Sequence, residues 1–215
     1  MAKMNPKASS DSYKNQQAQG EDPVSGVYDV VNIKLQRQIV GVKKTPKLRV
    51  HAHVLAVVDA ADAEGAKKIV GKSFPFDLWM RVLNDDGTLN FNGKRLNHLA
   101  IANGCGDEFD PDEDKDLVKT ITGAPYRITI VVEKKPDSKY AQVDAVEFKH
   151  LSTEARGKYT KLPDFTKVIG KPEARMLEEK DFSERSGGYQ SRAKPAAQEE
   201  VAQEQDAFAD DDLPF

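Results

Sequence analysis

Residues 48–58 read Leu-Arg-Val-His-Ala-His-Val-Leu-Ala-Val-Val, and this run constrains the fold more than any other feature of the chain. Leu48, Val50, Ala52, Val54, Ala56 and Val58 fall on alternate positions, with Arg49, His51 and His53 between them. Successive strand side chains point to opposite faces, so the pattern predicts a strand with an apolar inner face and a polar outer one. The same period appears in Val27, Asp29, Val31, Ile33 and Leu35, alternating with Tyr28, Val30, Asn32, Lys34 and Gln36. It returns in Phe74, Phe76, Leu78, Met80 and Val82, which alternate with Asp77, Trp79 and Arg81.

Lys43-Lys44-Thr45-Pro46-Lys47 reads as a basic turn, 60–71 as a polar connection with room for a helical turn, and Asn84-Asp85-Asp86-Gly87 as a turn. Leu96, Leu99, Ala100 and Ala102 have helical spacing, and Asn103-Gly104 supplies a left-handed stop. Residues 107–116 read as an acidic loop, and 126–134 and 140–148 as two further strands joined by a basic turn. Three strands, a helix and two strands is the element order of an OB-fold, a five-stranded barrel that commonly binds single-stranded nucleic acid. A mixed antiparallel sandwich is the alternative. Farther on, 162–169 is expected to pack on the barrel and 175–182 to form a short helix.

Charged residues make up 31% of the 215 and hydrophobic ones 39%, too polar for the whole chain to offset its ordering entropy by burial. The expected organisation is a disordered arm at 1–23, the mainly β binding domain at 24–150, an extension packed on it at 151–182, a flexible linker at 183–204, and an acidic tip at 205–215. Residues 193–215 carry seven acids against Lys194, a net −6, which leaves +3 on the remainder of a chain whose formal net charge is −3. A basic body with an acidic tail suits a polyanion binder. A single cysteine, Cys105, permits no internal disulfide and no cysteine zinc site. With no apolar leader at the N-terminus and no long apolar run, the expected location is the cytoplasm, that of a bacterial host if the chain is phage-encoded.

Single strands are held by cations along the phosphates and by aromatic rings stacked on bases. The candidate DNA-binding residues are Trp79 and Arg81 on the third strand, Arg49, His51 and His53 on the second, and Tyr28, Lys34 and Arg37 on or near the first. Loop candidates are Lys43, Lys44, Lys47, Lys134, Lys135, Lys139 and Tyr140. Against stacking stands the ordinary structural use of aromatic residues, with Trp79 packed under the helix and Tyr28 and Tyr140 in a core or interface. The acidic loop fails the EF-hand pattern, because Lys115 and Ile121 stand where glycine and glutamate are required. His51 and His53 share a face without a third zinc ligand, and no nucleotide-binding loop or nucleophile elbow occurs. The chain therefore reads as a binding protein rather than an enzyme, with no metal or cofactor.

The last residues are Asp210-Asp211-Asp212-Leu213-Pro214-Phe215. Such a peptide places an aromatic ring in an apolar pocket while a cation takes the carboxylate and the aspartates steer the approach. This segment resembles the acidic tip of bacterial single-stranded-DNA-binding proteins, which implies recruitment of replication and repair proteins. The folded part is similar to single-stranded-DNA-binding or recombination-associated proteins of bacteriophages and prophages, in Gly26-Val27-Tyr28, 47–58, 71–80, the 96–106 helix and its Ala-Asn-Gly ending, and 123–132 followed by Tyr140. The expected function is protection of single-stranded DNA in replication, recombination and repair, without sequence preference. A replisome adaptor that makes no direct DNA contact is the rival, an annealing or nuclease role a third, and a homo-oligomer is a possible assembly.

Overall fold

The computed structural model describes residues 22–134 and 141–183. It is mainly β, with six strands in one unclosed sheet and a few helices. In chain order the elements are β1 (Gly26–Val40), β2 (Thr45–Ala60), α1 (Ala63–Lys68), β3 (Ser73–Trp79), α2 (Phe91–Asn103), α3 (Asp114–Ile121), β4 (Pro125–Glu133), β5 (Gln142–His150), α4 (Thr153–Thr160), α5 (Phe165–Ile169) and β6 (Met176–Phe182). The hydrogen-bonded order is β3-β2-β1-β4-β5, antiparallel throughout, with β6 joined to β1 in parallel.

Strand β1 organises the sheet. One edge pairs with β2 from Gly26 to Val40, while the other is shared, with β4 taking 26–31 and β6 taking 35–40. At the handover, Asn32 O accepts from Gly123 N at 3.0 Å, and Leu35 N donates to Arg175 O at 2.7 Å. Buried backbone groups left without partners would be costly, and these two contacts fill part of the gap between the partner strands.

The alternation read from the sequence holds for β3 and for 48–54, whose apolar residues are buried. It reverses farther along β2, because Leu55 and Val58 are extra residues against β1 and each bulge shifts the side-chain phase. Val57 packs on the core in place of Ala56, and Val58 is exposed. A third bulge at Ile33 interrupts β1, which is why Tyr28, Val30, Asn32 and Leu35 are all fully buried across a change of phase.

Helix α2 ends as expected. Gly104 adopts φ 92°, its N–H bonds Ile101 O, and Cys105 N–H reaches back to Ala100 O. Cys105 packs against the core at this helix end. The helical turn allowed for in 60–71 forms, and a further helix arises where the sequence read only an acidic loop. The connection after β2 folds into α1, capped by Asp62, and the end of the acidic stretch becomes α3, which buries Leu117, Val118 and Ile121. The 175–182 segment is a strand rather than a helix. Its Glu-Glu-Lys run favours helix locally, but the open edge of β1 offers ladder hydrogen bonds that a helix could not use.

The extension after His150 is tied to the sheet. Phe165 is buried and α5 packs against β1. Arg156 of α4 donates to the carbonyls of Ala102 and Asn103, placing a cation at the negative end of α2. Arg175 does similar work beside α3, bonding Thr122 Oγ1 at 3.1 Å and the Ile169 and Gly170 carbonyls. Each guanidinium lies over a glycine of positive φ, Gly104 or Gly123, where a Cβ would come within 2.6 Å.

Tyr159 of α4 donates 2.7 Å to Asp29 Oδ2, and Arg127 grips the same buried carboxylate at 2.8 and 3.3 Å. Burial, followed by the bond to Asp29, raises the Tyr159 hydroxyl to about 12, so it stays a donor across the physiological range. A hydrogen bond to a charged group contributes about 1.5 kcal/mol or more. Tyr159→Phe is expected to lower the unfolding free energy by about that amount, read as a lower urea midpoint at unchanged slope.

Candidate nucleic-acid interface

The outer face of β2 and β3 is built by cross-strand neighbours. Lys47 stands opposite Trp79, Arg49 opposite Asp77, and His51 opposite Pro75. On the β1 side Lys34 lies opposite His51. Because Leu48, Val50, Phe76 and Leu78 fill the core, the residues between them must face outward.

Asp77 is the electrostatic centre of this face. Lys47 Nζ reaches its Oδ2 at 2.9 Å, and Arg49 holds both oxygens, Nε at 2.9 Å and the second contact at 3.1 Å. Partial burial pushes the Asp77 carboxyl up, but the hydrogen bonds and charges of Arg49 and Lys47 outweigh it and hold the group below its ordinary range. The same Lys47 ammonium lies 5.9 Å from the centre of the Trp79 ring, within cation–π range. Trp79 is 43% exposed, so it does not pack beneath α2.

A groove of about 420 Å³ runs beside this ring. Its walls are Lys47, Arg49, Pro75, Asp77 and Trp79 on the β2–β3 side, Arg95 of α2, and 141–144 at the start of β5. Three cations there face two carboxylates, Asp77 and Asp144, which leaves a mild positive excess. Arg95 was invisible as a site residue in the sequence, since a charged residue on a helix ordinarily faces water. Here its guanidinium donates to Ala145 O and is fixed at the groove.

The remaining candidates separate. Lys43 and Lys44 are exposed in the β1–β2 turn, and Lys34 is exposed on the outer face. Arg81 follows β3 with its side chain in solvent, 3.2 Å from Asp85. Lys134 pairs with Asp22 at 3.0 Å, where solvent makes the contact weak. Arg37 points away from the groove and binds Asp114 at 2.7 Å and Pro111 O at 2.9 Å. Tyr28 is a correction to the reading as a base contact. Its ring is 0% exposed, packs edge-on against Phe74, and its hydroxyl donates to Val24 O, so neither ring face is open to a base. Lys135, Lys139, Tyr140 and 210–215 lie outside the described residues.

Both histidines of β2 are held below the ordinary histidine range. Burial and then the neighbouring Arg49 and Lys34 charges depress His51, and burial depresses His53, whose Nδ1 lies 3.2 Å from Ser73 Oγ. Among the described residues, no group of three or more His, Cys, Asp or Glu is placed to hold a metal ion. In comparisons with known proteins, no family model and no curated sequence matches the chain.

A histidine whose folded-state pKa lies below its unfolded value binds fewer protons in the fold, so stability must fall as pH drops through the ordinary histidine range near 6.5. The double variant His51→Gln/His53→Gln is therefore expected to flatten the decline in urea midpoint between about pH 7.5 and pH 5.

Proposed function

We propose that this chain binds single-stranded DNA without sequence preference and protects it during replication, recombination and repair. The observation that carries the reading is the pairing of an exposed Trp79 ring and its Lys47 partner with a groove containing Arg49 and Arg95. A ring for bases beside cations for phosphates is what sequence-independent capture of a single strand requires. Exposure of Trp79 and the charged groove favour direct DNA contact over the adaptor reading.

An OB-fold barrel is the finer architecture we assign. Its support is the order β3-β2-β1-β4-β5, the helices between β3 and β4, and the approach of the two outer strands, where the rings of Phe76 and Phe148 lie 5.9 Å apart. The groove then falls between the β2–β3 face and the beginning of β5, a position suited to a strand crossing the barrel. Recruitment of replication and repair proteins through Asp210 to Phe215 rests on the resemblance of that segment to the bacterial acidic tip. The binding reading assigns no catalytic role. No helix among the described residues is long and apolar enough to cross a membrane, and we assign the protein to the cytoplasm.

Titration of the intrinsic Trp79 fluorescence with oligo-dT and with duplex DNA tests the reading. Quenching by the single strand that weakens at higher salt is expected, because phosphate contacts release counterions. No quenching together with no mobility shift would overturn it. Trp79→Ala is expected to weaken oligo-dT binding by about five-fold or more, the effect of one lost stacked base.

Asp77 makes an opposite prediction. A phosphate entering the groove must compete with its carboxylate for Lys47 and Arg49. Asp77→Asn is expected to tighten oligo-dT binding and steepen its salt dependence, measured by fluorescence anisotropy across a salt series.

A further inference from the structure

Trp79 is not the only ring presented beside a cation. Phe91, the first residue of α2, is 72% exposed, and the Arg95 guanidinium stands 5.7 Å from its ring centre. One exposed apolar side chain is ordinary on a protein surface. This one is held in a defined place relative to the groove. The flanking residues Asn90 and Asn92 both donate to the carbonyl of Arg81, at 2.8 and 3.4 Å, and Asn90 also donates to Leu83 O at 3.2 Å. Asn90 Oδ1 accepts from Gly93 N at 3.0 Å and so fixes the start of the helix. The beginning of α2 is thereby anchored to the backbone two residues beyond Trp79.

Arg95 links the two positions. It lines the groove with Trp79, Lys47 and Arg49, and its position beside Phe91 fills the role that Lys47 fills for Trp79. The repeat of one unit, an exposed ring with a cation within about 6 Å, is the arrangement that successive bases and phosphates of one strand would meet.

We propose that Phe91 is a second base-stacking platform, and that the single-strand path leaves the β2–β3 groove across Arg95 onto the N-terminal end of α2. The ligand class is a single-stranded polynucleotide long enough to span both rings, and the inference rests on the single-stranded-DNA reading above. Stacking on a phenylalanine face carries no base selectivity, consistent with binding without sequence preference. Arg95 serves both rings as a positioning cation.

The test uses the full chain with labelled oligo-dT of two lengths, one too short to span both rings, followed by anisotropy. Phe91→Ala is expected to weaken the longer oligonucleotide about five-fold or more and to leave the shorter one and the salt slope unchanged. In the Trp79→Phe/Phe91→Trp variant, whose sole tryptophan stands at 91, oligo-dT is expected to quench fluorescence over the same concentrations that raise anisotropy. Because Phe91 is exposed, the thermal midpoint of Phe91→Ala should match the parent, which separates lost stacking from misfolding.

Unaltered affinity of Phe91→Ala for the longer strand, with Trp79→Ala weakened, would overturn the second platform and leave the function standing. Full retention of affinity in Phe91→Leu would also overturn it, since leucine keeps apolar area without a ring. So would loss of a protein partner with DNA affinity intact, because Leu83, Leu89 and Phe91 would then form a docking patch. Failure of the parent to bind oligo-dT at all would remove both readings.

Discussion

The sheet depends on one strand having three partners. Strand β1 keeps β2 along its full length and divides its second edge between β4 and β6, and the division is possible because the bulge at Ile33 changes its phase. An extended strand with an open second edge would present unpaired donors and acceptors. Here β6 occupies the part that β4 leaves, and Gly123 and Arg175 bond backbone groups at the junction. The C-terminal extension is thus part of the sheet's hydrogen bonding as well as a cover for it. Its attachment by Arg156, Arg175 and Tyr159 has the same sense, since these side chains donate respectively to carbonyls, a hydroxyl and a carboxylate of the preceding fold.

That arrangement determines which surface remains open. Asp29 and Val31 are buried on a part of β1 that the extension helps to close, whereas β2 and β3 keep an outer face of Lys47, Arg49, Asp77 and Trp79. The carboxylate among these cations has a physical consequence for the proposed binding. It fixes two long, flexible side chains before any ligand arrives, reducing the entropy lost on contact, while drawing off part of the attraction a phosphate would feel. A mild positive excess with ordered donors favours reversible capture over tight retention.

The strand pattern from 48 to 54 and that of β3 could be read directly because one face of each is buried and the other wet. Beyond Leu55 the reading failed for a definite reason, since a bulge is set by pairing with another strand and leaves no mark in the period of its own segment. Helix α3 was concealed by its acidic first turn, although Leu117, Val118 and Ile121 have helical spacing. Strand β6 was missed because its residues favour a helix and its partner lies about 140 positions away in sequence. At the site, strand alternation set Arg49 and Trp79 opposite the buried residues, whereas Lys47 was read as part of a turn and is in β2, and Tyr28 stood open between base contact and core because a bulge sets the phase of its strand.

The sequence by itself determined the mainly β character, the helix ending at Gly104, and the alternation that sets Trp79 opposite Phe76 and Leu78, because these depend on local periodicity and on glycine's access to positive φ. Only the tertiary structure decided that Tyr28 is core, that Arg37 serves the acidic segment, and that Arg95 and Phe91 stand beside the groove. Those outcomes depend on which distant segments meet, and charge or aromaticity at one position cannot reveal its neighbours across the fold. The acidic end at Asp210 to Phe215 remains a sequence-level signal, joined to the fold through the proposed recruitment of partners.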